Sequence, residues 1–426
     1  MVTYRQPTPP VGGEGTPRGT ARAAARSSRR PMPSAPPLPS VAIMKNSVRA
    51  GGVAAALLTA ALVAPQAAAV AAPKPAKAAA PAPEVPAPSG KQAIGEKTLR
   101  LVDSARTDPW KPSAGPRELM VSVRYPARSA AGAKAPYVSA ALSRELYGND
   151  KLSTVRTHAV VDAAPAQGRA RPVVVLSPGL TQSRSSLTSL AEDLASRGYV
   201  VAALDHTYES AVEFPGGRVE KCELCVREDV DNGAIVRNRA KDIRFLLDRI
   251  TTGDGLVAGL KVDKSRIGVA GHSIGGASAV EVAGQDARVA AAADMDGDFF
   301  TEQPAGGIKK PVMLLGAARA GELGGERDTW SPAWKNLTGW KRWLDVGKGG
   351  HMTFTDNHWL ADAVGLPEGL PPDAAEGAFG TLKSDRANAL TRAYVAAFFD
   401  RHLNGTASPL LEGASADFPE VALLKK

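Results

Sequence analysis

The residues with the clearest chemical potential are Gly271-His272-Ser273-Ile274-Gly275, which match the pattern G-x-S-x-G. A buried strand predicted at 266–270 leads directly into this motif, and a helix of small residues predicted at 277–283 follows it. A serine on such a tight strand-to-helix turn exposes its hydroxyl at the edge of a sheet, and the flanking glycines let strand and helix approach closely. The motif and its context predict Ser273 as a nucleophile for acyl transfer.

The base that a serine nucleophile requires is predicted to be His351. It lies in a glycine-flanked loop, residues 349–354, after the last of the predicted parallel strands, where the chain order of serine, acid and histidine places the base. His206, directly after a predicted buried strand, is the alternative. The other four histidines lie on predicted strands or helices or beside the nucleophile: His158, His272, His358 and His402.

The acid that orients the base is less clearly marked. In many hydrolases of this chain order it follows the strand that corresponds here to residues 311–315, but no aspartate comes soon after that strand, and Asp328 is distant. The preceding predicted strand ends in Asp294-Met295-Asp296-Gly297-Asp298. Asp296 comes last on that strand, so we predict that it orients His351 and stabilises the imidazolium. Asp294 and Asp298 are expected to support the site indirectly or to be solvated.

Two backbone N–H groups are needed to stabilise the oxyanion that forms during acyl transfer. One is predicted to come from Ile274, the residue after the nucleophile. The other is predicted to come from Leu180 in the segment Ser177-Pro178-Gly179-Leu180-Thr181, where Gly179 allows a turn that points an amide inward. An ordinary strand-to-helix loop is the alternative interpretation of that segment.

These residues need a scaffold in which strands and helices alternate, and the sequence has that pattern. Continuous apolar runs at 172–177 and 199–204 are typical of strands buried on both faces of a parallel sheet. Further strands are predicted at 119–125, 157–161, 266–270, 289–295, 311–315 and 344–346, and helices at 187–197, 234–250, 277–283 and 390–403. The alternation predicts an α/β-hydrolase fold, with a mostly parallel central sheet and helices on both faces.

Four segments resemble the platelet-activating-factor acetylhydrolase family of the isoform II type, in particular its secreted, lipase-like actinobacterial members: residues 177–180, 271–276, 295–297 and 350–356. The resemblance also includes residues 108–110, 117–126 and 205–208, and it covers most of residues 94–410. It implies a triad of Ser273, Asp296 and His351, with Leu180 and Ile274 at the oxyanion hole, and calcium-independent hydrolysis of short or truncated acyl esters, often from phospholipids. Pro178 departs from the family, where many members have histidine. Because the oxyanion contact is made by backbone, catalysis is expected to survive.

Basic residues exceed acidic ones by nine, which raises the question of an anionic partner. Residues 1–91 hold eleven of the 52 lysines and arginines and two of the 43 acidic residues, so 41 of each remain in the rest of the chain. The excess therefore belongs to the N-terminal region alone. We expect no nucleic-acid partner, a monomer, and a small-molecule or lipid ester as substrate.

The N-terminal region is typical of an export signal. Lys45 and Arg49 precede a short apolar run, residues 51–64, which is too short to span a bilayer, and small residues at 67–72 fit a cleavage site. We predict a disordered extension or mis-assigned start at 1–43, a signal peptide at 44–72, an Ala/Pro linker at 73–92, a catalytic domain at 93–411 and a C-terminal tail at 412–426. The protein is expected to be secreted, without a stable membrane anchor.

The chain has two cysteines, Cys222 and Cys225. A zinc site would need two further ligands, and the sequence contains no second cysteine pair. In an exported protein a small structural disulfide is the favoured interpretation. We expect no metal and no cofactor.

Taken together, these residues predict a secreted serine carboxylic-ester hydrolase that works through an acyl-enzyme. A serine peptidase on the same fold and a non-catalytic binding protein with a basic tail are the alternatives. Only fourteen residues, 297–310, separate Asp296 from the next predicted strand, which is too short for a lipase lid, so we expect an open site for short-acyl esters. Four tryptophans are candidates for the wall of an acyl pocket, although helix packing is the favoured use for most of them: Trp330, Trp334, Trp340 and Trp343.

Overall fold

The computed structural model describes residues 82–426, apart from residues 253–254, 303, 305, 326–327 and 366–368. The predicted extension at 1–43, the signal peptide at 44–72 and the first part of the predicted linker lie outside the described residues. Among the helices that are described, none is long and apolar enough to cross a membrane.

The central element of the described chain is a sheet of ten strands. The twelve described strands, ten of them in this sheet, are β1 (Ile94–Thr107), β2 (Pro116–Pro126), β3 (Val160–Val161), β4 (Arg171–Ser177), β5 (Val200–His206), β6 (Val212–Phe214), β7 (Arg218–Glu220), β8 (Val262–His272), β9 (Val289–Met295), β10 (Val312–Ala317), β11 (Lys341–Val346) and β12 (Val421–Lys425). Their order in the sheet is β12-β11-β10-β9-β8-β4-β5-β2-β1-β3, and β6 and β7 form a separate hairpin. The six strands from β11 to β5 in this order run parallel, whereas β12 and β2 pair antiparallel at either side of them.

Helices cover both faces of this sheet. They are α1 (Ala140–Tyr147), α2 (Thr188–Ser196), α3 (Asn232–Thr251), α4 (Ile274–Gln285), α5 (Trp330–Trp334), α6 (Asp356–Val364), α7 (Pro372–Phe379) and α8 (Ser384–Asn404). Val174 of β4 packs in one apolar cluster with Phe398 of α8, and its neighbour Val173 packs in a second cluster with Ile243 of α3 and Val280 of α4. Adjacent residues of one strand are thus buried on opposite faces, which requires the continuous apolar runs seen in the sequence. The predicted α/β-hydrolase fold is confirmed.

The carboxyl ends of the parallel strands meet at one edge of the sheet, and the loops at this edge carry the candidate residues. β4 ends at Ser177, β8 ends at His272, and β9 ends at Met295, one residue before Asp296. The turn that follows β11 carries His351. In open α/β sheets this edge is where ligands bind, because the strand order leaves a crevice there.

Both predicted boundaries of the catalytic domain are wrong. The predicted tail, 412–426, contains β12, which pairs antiparallel with β11 and buries Val421. At the other end, residues of the predicted linker 73–92 already lie on the domain: Val85 is buried, and the Gly90 N–H donates to Ser196 Oγ at 2.9 Å. A Pro/Ala-rich composition disfavours helices and central strands, but it leaves an extended segment free to pack through its backbone.

The edge strands also differ from the prediction. β1 was not predicted, because most of its second half is exposed and its polar residues conceal the strand pattern. The strand predicted at 157–161 shortens to the two residues of β3, and His158, expected on that strand, lies before it. These elements are far along the strand order from the nucleophile, so the differences leave the site unchanged.

Candidate active site

Ser273 lies on the turn between β8 and α4, as the motif predicts, and its backbone is strained. Its φ is 55° and its ψ is −130°, a conformation that non-glycine residues rarely adopt. The turn is tight enough that a Cβ atom on Gly275 would lie 2.2 Å from the Ser177 carbonyl oxygen, and one on Gly271 would lie 2.2 Å from the Gly275 carbonyl carbon. Strain of this kind costs about 1–3 kcal/mol, and the surrounding structure must maintain it. The strained turn leaves the Ser273 side chain partly exposed at the edge of the sheet.

His351 begins the short 3-10 turn that follows β11, and it is the histidine paired with the predicted acid. Its Nδ1 lies 2.6 Å from Asp296 Oδ2, and its side chain is 40% exposed. An ionised carboxylate only accepts hydrogen bonds, so Nδ1 carries the proton and Nε2 keeps its lone pair. That tautomer is the one a general base needs, because Nε2 is then able to take a proton from a hydroxyl.

Asp296 is buried at the end of β9 and is held by three donors. Besides His351, the Ala317 N–H donates to Oδ1 at 3.0 Å and Arg319 Nε donates to the same oxygen at 2.9 Å. Burial would raise the pKa of Asp296, but the hydrogen bond from His351 and the charge of Arg319 outweigh it and lower the pKa to about 2. Asp296 is therefore a fixed anion across the pH range in which esterases work.

Arg319 is a member of this site that the sequence did not reveal. It follows β10, at the position where many hydrolases of this chain order carry the acid itself. Its guanidinium contacts Asp296 and also Asp298, whose Oδ1 lies 2.6 Å from Nη1, and it packs over the Trp330 ring at 4.4 Å. The charge of Arg319 compensates for two nearby carboxylates. A basic residue after that strand was the available signal, but an isolated arginine in a loop has many other uses.

The two neighbouring carboxylates have different surroundings. Asp298 is partly exposed and pairs with Arg319, as a supporting residue would. Asp294, in contrast, is fully buried and is not solvated, contrary to one of the two expectations for it. Its Oδ1 accepts the Gly297 N–H at 2.8 Å, and burial raises its pKa well above the usual range. Asp294 is therefore a neutral carboxyl group that fixes the turn after Asp296.

The remaining histidines are placed away from the base position. His206, the alternative base, is fully buried between Ser177 and Asp242. His272 is also buried, which lowers its pKa to about 3, and its Nε2 donates to the His351 carbonyl oxygen at 2.7 Å. The neutral His272 ring thus supports the backbone of His351. His358 and His402 lie on α6 and α8, as predicted.

Leu180 and Ile274, the predicted oxyanion-hole residues, belong to one apolar cluster. We call residues 177–181 the oxyanion loop. Ile274 is the first residue of α4, and Leu180 lies in the loop just before Thr181, which has a positive φ of 67°. Within the described residues, neither the Leu180 N–H nor the Ile274 N–H has a protein hydrogen-bond partner. Both donors are thus free for an oxygen atom in the site.

The structure joins Cys222 and Cys225 in a disulfide. Cys222 belongs to the same apolar cluster as Leu180 and Ile274, together with Trp110 and Phe300. The short disulfide loop therefore forms part of the wall beside the oxyanion-hole residues.

The four tryptophans between residues 330 and 343 serve packing. Trp330 and Trp343 are buried and meet edge to face at 5.2 Å, and Trp334 lies 6.0 Å from Trp343. Trp340 packs against Phe398 of α8. A cavity of about 540 Å³ at His351 is lined in part by Asp296, Arg319 and Lys348. None of these residues belongs to the apolar cluster around Leu180.

Comparisons with known proteins agree with this architecture. The model of a family described as PET hydrolase-like matches residues 159–361. A probable 1-alkyl-2-acetylglycerophosphocholine esterase of Arthroderma benhamiae is 26% identical over 373 residues, which cover 80% of this chain and 93% of that protein. A platelet-activating factor acetylhydrolase of Bos taurus is 25% identical over 207 residues, which cover 39% of this chain and 45% of that protein.

A solved structure gives the strongest similarity among these. A ferulic acid esterase from Streptomyces cinnamoneus superposes with a TM-score of 0.78 at 60% sequence identity, over 81% of this chain and 100% of that chain. A mostly parallel sheet with a serine on the turn after one of its central strands defines the α/β-hydrolase class. Within that class the chain belongs to the platelet-activating-factor acetylhydrolase-like family, and it is an esterase.

Proposed function

We propose that the protein is an exported serine esterase that cleaves short or truncated acyl esters through an acyl-enzyme, with Ser273 as the nucleophile. The observation that carries the proposal is the 2.6 Å hydrogen bond between His351 and Asp296, in the loops at the edge of the sheet where the strained turn exposes Ser273. A partly exposed serine and a partly exposed imidazole with a buried anion behind it are the parts that acyl transfer requires.

In this reaction the Ser273 oxygen attacks the ester carbonyl carbon while His351 Nε2 takes the hydroxyl proton. The carbonyl oxygen becomes an oxyanion, which the N–H groups of Leu180 and Ile274 stabilise. The positive end of α4 adds to this stabilisation. His351 then gives the proton to the departing alcohol, and a water molecule repeats the sequence on the acyl-enzyme to release the acid.

The surroundings of the oxyanion-hole residues support small acyl groups. Leu180, Trp110, Val230 and Phe300 are partly buried members of the apolar cluster at this position, and they offer an apolar wall for an acyl group. The segment between Asp296 and β10 is short and does not supply a lid. Acetyl and butyryl esters fit such a wall, and each added methylene changes binding by roughly 1–3 kcal/mol at most.

A phospholipid with a short sn-2 acyl group is one substrate within this class. The relative from Arthroderma benhamiae is named for the removal of an acetyl group from a glycerophosphocholine. The relative from Streptomyces cinnamoneus is named for ferulic acid esters, in which the acyl group is aromatic. Both are carboxylic esters of a small acid, so the proposal is stated at that level.

The test compares the wild-type protein with Ser273→Ala on a panel of p-nitrophenyl esters from acetate to palmitate, and on a p-nitroanilide peptide. We expect hydrolysis of the short esters, no rate increase when a substrate passes its solubility limit, little peptide cleavage, and no turnover by the variant. A fluorophosphonate probe should label the wild type alone. Full activity in Ser273→Ala would refute the nucleophile, and a strong preference for emulsified long-chain esters would refute the substrate class.

Export is the second part of the proposal, and it rests on the sequence of residues 44–72, which has a basic start, a short apolar run and small residues after it. N-terminal sequencing of the protein from culture medium should give a start near Val70 or Pro73. A start before Met44 in secreted protein would contradict the signal peptide.

A further inference from the structure

A group of buried charged residues lies directly beneath the oxyanion loop. Its members come from β2, from β5 and the turn after it, and from α3, and each is at most 1% exposed: Arg117, His206, Glu209, Arg239 and Asp242. We call these five residues the buried charge network. Burying a charge is costly unless it is paired, so a set this large needs an explanation.

The charges in the network balance one another. Arg117 Nη2 lies 2.6 Å from Asp242 Oδ2, and Arg239 Nε lies 2.6 Å from Glu209 Oε2. Burial would raise the pKa of Asp242, but the charge of Arg117 and the hydrogen bond from His206 lower it well below the usual range, so Asp242 is an anion. Burial lowers the pKa of His206, so this ring is neutral. Within the network two cations thus face two anions, and Arg117 also pairs with the buried Asp108, whose Oδ2 lies 2.8 Å from Nη1.

This balance argues against two other uses of the same residues. His206, Glu209 and Asp242 place ligand-type atoms within 4.8 Å of one another, but a metal ion there would lie against the guanidinium groups of Arg117 and Arg239. Ser177, His206 and Asp242 are hydrogen-bonded in series at 2.9 Å each, like a second catalytic triad. All three are buried, however, and no substrate reaches them.

What the network does contact is the oxyanion loop. The Arg239 guanidinium donates to the Pro178 carbonyl oxygen and, at 3.3 Å, to the Gly179 carbonyl oxygen. The Thr181 N–H donates to the Glu209 carbonyl oxygen at 2.9 Å. Ser177 Oγ is bonded to His206 Nε2. The network therefore holds every residue of the loop except Leu180, whose N–H is the predicted oxyanion donor.

The direction of that N–H follows from the geometry of one peptide group. The Gly179 carbonyl and the Leu180 N–H belong to the same peptide, and in a trans peptide they point in opposite directions. The Gly179 carbonyl accepts from Arg239 and also from the Gln182 N–H, at 3.2 Å. Because Arg239 holds this carbonyl toward the network, the Leu180 N–H points away from the network. The segment also packs against the nucleophile turn, since a Cβ on Gly275 would lie 2.2 Å from the Ser177 carbonyl oxygen and one on Gly179 would lie 2.9 Å from His272 Nδ1.

We propose that Arg239 is the positioning residue of the oxyanion hole: its planar guanidinium binds two successive carbonyl oxygens and so aims the Leu180 N–H at the developing oxyanion. The inference rests on the proposed function, because it concerns a donor to the same tetrahedral intermediate. Lysine cannot replace arginine here, since a single ammonium on a flexible stem does not bind Glu209 and both carbonyls in one plane.

The test is Arg239→Lys, which keeps a positive charge opposite Glu209 and removes the planar guanidinium group that binds both carbonyl oxygens. We expect kcat for p-nitrophenyl acetate to fall about 100-fold with KM changed less than about threefold, because a misaimed donor affects the transition state and not the bound ester. The inhibition constant of butylboronic acid, which forms a tetrahedral adduct on serine, should rise by a similar factor.

Arg106→Lys is the matched control, because Arg106 binds Asp242 of the same network at 2.8 Å but touches no atom of the loop. It should keep kcat within about threefold.

The outcomes separate the inference from the proposed function. Wild-type kcat and boronate affinity in Arg239→Lys would overturn the positioning role, as would equal kcat losses in Arg239→Lys and Arg106→Lys. If Ser273→Ala, measured in parallel, retained activity, the proposed nucleophile would fail instead. If Arg239→Lys lowers the unfolding temperature by more than about 10 °C, the double variant Arg239→Gln/Glu209→Gln, which removes both charges of the pair, is judged by the same criteria.

Discussion

Replacing Asp296 by asparagine alters one atom of a buried side chain, and the contacts of that side chain determine which way the new amide turns. Oδ1 accepts from the Ala317 N–H and from Arg319 Nε, so the amide oxygen must stay there. The amide NH2 then faces His351 Nδ1, where the carboxylate oxygen had been 2.6 Å away. Two donors cannot face each other, so His351 must move its proton to Nε2. In that tautomer His351 is unable to accept the Ser273 proton.

The expected loss is large and specific. The wrong tautomer of a triad histidine costs about 10⁴-fold in kcat, or about 5.5 kcal/mol in transition-state stabilisation, with KM little changed. Asp294→Asn is the matched control, because Asp294 lies two residues earlier, on β9. Because burial raises the pKa of Asp294 well above the usual range, its carboxyl group is already neutral, and asparagine has nearly the same shape. Asp294→Asn should therefore keep kcat within about tenfold.

The assay is initial-rate hydrolysis of p-nitrophenyl butyrate at pH 7.5, with circular dichroism and thermal unfolding to show that both variants are folded. The rate of inactivation by a fluorophosphonate measures how fast Ser273 reacts. This rate should fall in Asp296→Asn in parallel with kcat. Comparable losses in the two variants, or a loss below about 100-fold in Asp296→Asn, would show that Asp296 is not the acid of the triad.

Two further predictions concern stability. The folded-state pKa of Asp296 is lowered from 3.8 to about 2, so its contribution to the free energy of unfolding, about 2 kcal/mol, is present above about pH 4 and is lost as the pH falls toward 2. Urea unfolding between pH 4 and pH 2 should show a steeper loss in the wild type than in Asp296→Asn, and parallel curves would contradict this. Arg319→Gln leaves Asp296 and Asp298 without their cation and should cost about 3 kcal/mol in urea unfolding at pH 7. Arg288→Gln, which breaks more exposed ion pairs with Asp286 and Asp248, should cost less than about 1 kcal/mol, and equal costs would refute the role of Arg319.

The positions of the candidate triad residues were predictable because each is tied to a local pattern. A serine between glycines after an apolar strand can only lie on a tight turn, and the chain order of the class points to one histidine loop. Asp296 required a choice among three carboxylates, and its place as the last residue of the predicted strand decided it. Arg319 could not be predicted in this way. The need for a cation becomes visible only in the folded structure, where the loop after β10 brings Arg319 against the carboxylates of Asp296 and Asp298, which follow β9.

The buried charge network was unpredictable for the same physical reason. Arg117 and Glu209 are distant in sequence from each other and from Arg239 and Asp242, and each alone resembles an ordinary solvated residue. Their burial follows from mutual pairing, which no periodicity records. The sheet's centre was predicted well because strands buried on both faces are continuously apolar. The strands toward the edges of the sheet, β1 and β12, were not predicted. They have exposed residues, so their sequences are not continuously apolar, and each forms a strand because it pairs with a neighbouring strand.

The close approach of the Ser177 carbonyl to Gly271 and Gly275 has a consequence for attempts to evolve this enzyme. Any side chain at either glycine would collide with backbone. In a library that varies these positions, most variants would therefore be unable to form the site. The apolar wall is different, because Val230 and Phe300 are side chains of loops, where exchange is generally tolerated. Trp110 should be kept, since its indole N–H donates to Glu209 Oε1 at 2.8 Å. Selection for new acyl groups should therefore be directed at the wall, where substitutions alter what is bound while the reacting groups keep their geometry.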